Sequence, residues 1–254
     1  MDTTLYDAHA RLDDEHWWFL GRRSIVRDAL KRHLHPLPGT RRILDAGCGT
    51  GGNLPMLAEF GDVTGVELEP MAVEIARQRT GGSMRILEGG IPEGLPKGET
   101  FDVITMFDVL EHLDDPVGAV NALRELLSPS GQLVITVPAF QFLWSKHDDL
   151  NHHKRRYDFA ELKRHLEQGG MTVGFHSYFN SLLFGPVAAV RVFRKLVPGA
   201  ERENDYGSGG RITNWALTKL FSAERHVASR VPVPFGVSLL AIATRADSPG
   251  RGST

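Results

Sequence analysis

The segment LDAGCGTGGN, residues 44–53, constrains the fold of this chain more than any other stretch. Gly47, Gly49 and Gly52 follow the spacing G-x-G-x-x-G, in which a strand ends in a tight turn, backbone approaches a ligand closely and a helix opens. The strand RRILDA precedes the turn and the helical run GGNLPMLAEF follows it. About twenty residues after the glycines, Glu67 closes a second strand, DVTGVEL, where an acid can accept hydrogen bonds from both hydroxyls of a ribose. The alternation then continues. EPMAVEIARQRT reads as helix and SMRILEG as strand; FDVITMF is strand and DPVGAVNALRELLS helix, with Asp115 as N-cap and Pro116 in the first turn; GQLVITVP is strand. Strands that alternate with helices predict βαβ units, hence an α/β fold with a doubly wound, mostly parallel sheet of seven strands.

The flanks depart from that rhythm. Residues 1–40 read as a helical segment in which Trp18, Ile25, Val26, Ala29 and Leu30 share a face. DFAELKRHLEQGG predicts a helix capped by Asp158, with Glu161 in the capping-box position, and MTVGFHSYF a strand. Residues 180–231 read as a helical insertion, broken by PGAERENDYGSGGR, before a last strand within 232–246. The expected organisation is one domain over 1–246, with 41–179 as the nucleotide-binding core and 247–254 as a disordered tail. A chain of 254 residues accommodates one such domain. The formal net charge of −2 argues against a chain-wide nucleic-acid surface, and the single cysteine, Cys48, excludes an intrachain disulfide. The apolar run 182–190 is too short for a transmembrane helix, and the start of the chain shows no basic segment followed by an apolar run, so a cytoplasmic protein is expected.

The glycine loop alone does not choose its ligand; Asp45, two residues before Gly47, does. A pyrophosphate there would meet a carboxylate, whereas S-adenosylmethionine brings an ammonium and a sulfonium to it. One charge pair at ~4 Å and an effective dielectric of ~20 is worth about 4 kcal/mol before desolvation, with opposite sign for the two ligands. Asp45 therefore favours S-adenosylmethionine over NAD, unless its carboxylate only caps the loop.

On these residues the chain resembles the class I S-adenosylmethionine-dependent methyltransferases. ILDAGCGTGG, VTGVELEPMAVEIA, FDVITMFDVLEHLDDP and LLSPSGQLVITVP carry the resemblance, which covers roughly residues 41–137. It implies a donor site at Asp45, Gly47, Gly49, Gly51, Glu67, Leu68, Gly90, Ile91 and Phe107, with the loop holding the methionine part and Glu67 the ribose. Relatives often place an Asp where this chain has Gly90, so adenine is expected to rely on backbone near Gly90 and Ile91, or on Glu88. EHWWFLGRRSIV and HDDLNHHKRRYDFAEL resemble a bacterial subgroup of small-molecule methyltransferases.

Methyl transfer from a sulfonium is an in-line displacement, and a base is required only when the acceptor must lose a proton. The loop after the fifth strand, FQFLWSKHDDLNHHKRRYDF, is the densest cluster of titratable side chains, and it supplies His153, His147, Tyr157 and Asp148 as catalytic candidates. A solvated ion-pair loop is the alternative, and no spacing matches a metal motif, so no metal is expected. Trp18, His112, Trp144, Phe184 and Trp215 are candidate acceptor contacts; Tyr6, Trp17 and Phe19 join Trp18 as a candidate lid over the donor, or simply anchor the first helix. The expected function is methylation of an oxygen or nitrogen of a small molecule, in a natural-product or sugar context. The alternatives are a lipid-linked acceptor at a membrane surface, which is the less favoured, and a non-catalytic nucleotide-binding module. The expected partner is the small-molecule acceptor, without nucleic acid, in a monomer or homodimer.

Overall fold

Neighbouring residues on each central strand enter opposite cores. The computed structural model describes residues 11–196 and 210–246; expectations for Tyr6, the segment 197–209 and the tail 247–254 fall outside them. Strands β1 (Arg41–Ala46), β2 (Gly61–Glu67), β3 (Arg85–Glu88), β4 (Phe101–Phe107), β5 (Leu127–Pro138), β6 (Met171–Phe179) and β7 (Ser238–Arg245) form one sheet in the order β3-β2-β1-β4-β5-β7-β6. The first five strands pair in parallel, and β7 runs antiparallel to both β5 and β6. This is the doubly wound, seven-stranded sheet expected from the alternating pattern.

Seven helices matter for the site: α1 (Trp17–His33), α2 (Leu54–Leu57), α3 (Pro70–Arg79), α4 (Pro116–Leu126), α5 (Lys146–Leu150), α6 (Phe159–Gln168) and, in the insertion, α7 (Phe184–Leu196). The insertion continues with α8 (Arg211–Ala223) and α9 (Arg225–Ala228) before β7. Leu44, Ile104, Leu133 and Leu239 face one side of the sheet with Val120 and Leu123 of α4 and Leu162 and Leu166 of α6. Ile43, Val103, Val134 and Leu240 face the other, with Ile25, Val26, Ala29 and Leu30 of α1 and Phe221 of α8. The period of two on the strands and of three to four on the helices makes both layers dry. Each fully buried Leu, Ile or Phe contributes about 1.5–3 kcal/mol over an exposed one.

Local chemistry sets the ends of these elements. Asp115 accepts from the Gly118 amide at 2.8 Å, and Asp158 from the Glu161 amide at 2.8 Å, as the capping reading expected. The first helix is divided at His16, which is extended and caps α1 by accepting from the Trp18 amide at its ring Nδ1. The helix after the glycine loop is a single turn rather than the whole run GGNLPMLAEF, with Pro55 in its first turn. α8 lies across α1, where Gly21 lets the two approach: a Cβ on Gly21 would fall 2.2 Å from Phe221 Cδ1. The strands β6 and β7 are neighbours in the sheet although α7, α8 and α9 separate them in sequence.

Candidate active site

The carboxyl ends of β1, β2, β4 and β5 open on a cleft of about 1010 Å³ among the described residues. One end is built by the glycine loop. The amides of Gly47 and Cys48 both donate to Val66 O, at 2.8 and 3.0 Å, which folds the loop back over β2. Gly47 has φ +82°, and a Cβ there would fall 2.4 Å from Val109 Cγ2, so glycine is required twice over. Glu67 accepts from the Gly49 amide through Oε2 at 2.8 Å and from the Glu69 amide through Oε1 at 3.0 Å. Both oxygens are fixed at the cleft wall, and each keeps a free lone pair for a ribose hydroxyl.

Asp45 lies beneath this loop. Its Oδ1 accepts from Thr105 Oγ1 at 2.6 Å, and its buried Oδ2 has no partner. Burial pushes the carboxyl up to about 7; the Thr105 hydrogen bond and Arg22 oppose that shift, and Glu67 adds to it. An orphaned carboxylate oxygen behind a cationic ligand's seat is a cost that the ligand's positive charge removes. Gly47, Gly49, Glu67, Leu68, Gly90, Ile91 and Phe107 all line the cleft, and a Cβ built on Gly49 would meet nothing within 4 Å. These residues fit S-adenosylmethionine.

The other end of the cleft is polar and strained. Asp108, just after β4, has φ +54°, and Asn180, just after β6, has φ +58°; both line the cleft, and Asp and Asn are the side chains that tolerate this region best. Asp108 is paired with Arg22 of α1, whose guanidinium lies 4.8 Å from the Trp18 ring centroid. Glu111 is buried, and neither carboxylate oxygen has a partner. Burial first, and Asp108 next, raise its carboxyl well above the usual range. His112, its neighbour, is driven down to about 4 by burial and then by His153.

His153 completes this cluster. Its ring centroid is 4.7 Å from that of His112, and Nδ1–H donates to Asp148 Oδ1 at 2.8 Å. Asp148 is fully buried at the start of α5, where it also accepts from Arg156 Nε at 2.8 Å and from the Ser145 amide at 2.8 Å. Burial works against its charge, but His153 and Arg156 outweigh that and hold the carboxyl well below the usual carboxylate range. Glu111, His112 and His153 each present one ligand atom within 4.8 Å of the others, a donor set suited to a divalent cation. Spacing along the chain did not indicate this set, because His153 comes from another loop.

Residues 18–179 match the model of a family described as "Methyltransferase domain". The chain belongs to this family. The cleft residues fit S-adenosylmethionine, the methyl donor that the resemblance implied. A mitochondrial ubiquinone biosynthesis O-methyltransferase of Schizosaccharomyces pombe is 36% identical over 103 residues, which are 38% of this chain and 37% of the relative. A ubiquinone biosynthesis O-methyltransferase of Bordetella avium is 28% identical over 177 residues, 65% of this chain and 66% of the relative. The chain thus spans less than two thirds of either relative's length. A solved chain from the complex between the Haloferax volcanii Trm112 methyltransferase activator and the putative methyltransferase superposes with a TM-score of 0.61 over 98% of both chains at 18% identity, a likeness of fold.

Within this methyltransferase the expected site residues divide. His153, His147, His112 and Trp18 line the cleft with the donor residues; Trp17 and Phe19 do so too. Asp148 lies behind the wall, bonded to His153. Tyr157 does not line the cleft: its side chain is fully buried in the core, and burial pushes its hydroxyl up to about 12 against the opposing effect of Arg155. Trp144 turns its indole N–H to Asp149 at 2.9 Å and is absent from the wall. Phe184 packs on Phe140 and Phe235, and Trp215 is 62% exposed; neither reaches the cleft. Gly51 is not in the wall either; a Cβ on it would crowd Ala76 of α3 at 3.1 Å. In their place α7 supplies Pro186, Val187 and Arg191, and Arg156 comes from the titratable loop that the sequence singled out, while Glu111 and Arg22 come from elements whose single charges carried no signal in sequence.

Proposed function

We propose that the protein transfers the methyl group of S-adenosylmethionine to a hydroxyl oxygen of a small molecule, with His153 as the base. The observation that carries this is the hydrogen bond from His153 Nδ1–H to Asp148 Oδ1 at the cleft wall. A carboxylate can only accept, so it holds the proton on Nδ1 and leaves Nε2 as the basic nitrogen. S-adenosylmethionine, when bound, would supply an already activated methyl group and take up the electron pair of the carbon–sulfur bond it gives up, while His153 Nε2 would receive the proton that the acceptor hydroxyl loses. An amine acceptor already carries a free lone pair and needs no such base, which favours oxygen over nitrogen. The O-methyltransferases among the relatives support the same chemistry; their printed role lies in ubiquinone biosynthesis rather than in natural-product or sugar metabolism.

Donor orientation rests on Asp45 and Glu67 and on the glycine loop. The aromatic residues Trp17, Trp18 and Phe19 of α1 line the cleft beside the donor residues. A panel of hydroxyl-bearing and amine-bearing small molecules, incubated with methyl-labelled donor, tests the reading. Label should enter hydroxyl acceptors and fall by at least a hundredfold in His153→Ala. Label on amines alone, at a rate that His153→Ala does not change, would overturn it.

A further inference from the structure

The insertion between β6 and β7 turns apolar stripes outward. On α7, Pro186, Ala189, Val190 and Phe193 are exposed and follow the spacing i, i+3, i+4, i+7, with Phe193 60% accessible. On α8, Ile212, Trp215, Ala216 and Lys219-Leu220 repeat that spacing, with Ile212 83% accessible, and Phe221 is the helix's one buried side chain among those described. A surface helix of a protein in water normally shows the reverse arrangement. Phe142 and Phe235 extend the apolar face: Phe184 lies between them, its ring centroid 6.2 Å from one and 5.5 Å from the other.

The exposed charges of the described insertion residues have one sign. Lys195, Arg211, Lys219, Arg225 and Arg230 are exposed. Among the described residues of the insertion the single acid is Glu224, which is buried and accepts from the amides of Ser181 and Leu182 at 2.9 Å each. A second copy meeting this face about a twofold axis would set Lys219 and Arg225 against like charge, without an exposed acid on the described face to pair them. An anionic surface with an apolar interior satisfies both features at once. Acyl chains would take up the exposed Phe, Ile and Trp, and phosphate groups would take up the flanking Lys and Arg.

We propose that α7 and α8 form a docking face for an anionic lipid bilayer, on which the protein rests without crossing it. No described helix is long and apolar enough to cross a membrane. Pro186 and Val190 belong both to the outward stripe and to the cleft wall, so the docked protein presents the mouth of its cleft to the lipid.

The test is co-sedimentation of the whole chain with phosphatidylcholine vesicles, with and without phosphatidylglycerol. The protein should sediment with the anionic vesicles and leave them at high salt. Arg211→Glu with Lys219→Glu should weaken partitioning by at least about fivefold per charge. Phe193→Asp with Ile212→Asp should abolish it, and both pairs should keep wild-type melting and donor affinity. Wild-type protein that stays in the supernatant with both vesicle types overturns the proposal, as do variants that sediment like wild type. In the first case sedimentation velocity reports a second copy on the face. Neutralising Glu201, Glu203 and Asp205 reports cover by the chain's own segment, if that variant alone binds; either result refutes docking.

Discussion

His153 Nδ1 and Asp148 Oδ1 are 2.8 Å apart, and the same carboxylate oxygen is 2.8 Å from Arg156 Nε. Asp148 is therefore fixed from two sides before it orients the imidazole. His153→Ala removes the base and leaves that ion pair in place. Turnover on a hydroxyl acceptor should fall by about 10²–10⁴, and donor affinity measured calorimetrically should stay within about twofold. A His153→Ala enzyme with wild-type kcat would assign the imidazole to packing.

The donor end should respond independently. Asp45→Asn and Glu67→Gln should each weaken S-adenosylmethionine binding by roughly tenfold or more, about 1.4 kcal/mol each. Both substitutions keep side-chain shape, and thermal melting shows whether the fold survives. Unchanged affinity in two folded variants would remove the donor from this end of the cleft.

Donor affinity should also depend on pH through Asp45. Burial raises this carboxyl to about 7, so it is ionised above neutrality and protonated below. The cationic donor binds the ionised form, so affinity should be flat above pH 8. Below pH 7 it should weaken by up to about tenfold per unit as the ionised fraction falls. Calorimetry from about pH 5.5 to about pH 9 measures this, and Asp45→Asn should flatten the profile.

The cluster of Glu111, His112 and His153 separates a base from a metal ligand. If His153 takes the acceptor proton, Zn²⁺ that occupies its lone pair should inhibit, and EDTA should leave the rate of metal-free enzyme unaltered. Steady-state rates across a zinc titration decide. Activation by a divalent cation, lost again with EDTA, would give the acceptor oxygen a Lewis acid in place of a base.

The seat of the insertion on α1 is testable through stability. Gly21→Ala would place a methyl group 2.2 Å from Phe221 Cδ1. Overpacking of this kind costs about 1–3 kcal/mol, and Phe221→Leu in the same chain should recover part of it. Chemical denaturation of the single and double variants measures the coupling; additive losses would mean that the two residues do not meet in solution.

Periodicity and turn chemistry determined most of the fold. The glycine spacing at 47–52, Asp115 with Pro116, Asp158, and the alternation of apolar residues in seven strands act over a few residues. They therefore show in the chain order itself. Of the expected donor residues, Gly47, Gly49 and Glu67 lie on one strand–turn–helix unit and the strand beside it and reach the cleft wall together, whereas Asp45 is buried beneath the loop and does not line the cleft. The acceptor end was not legible in chain order. Glu111 and His153 stand 42 positions apart, Arg22 reaches Asp108 from another helix, and Tyr157 lies four residues from His153 yet points into the core. In the insertion, helical spacing gave no indication of which face is buried: Phe184 and Trp215 read as pocket residues, and Trp215 is exposed. Burial is a property of what packs against an element. Only the tertiary structure brings those partners together, and with them the desolvation that shifts Asp45, Glu111 and His112.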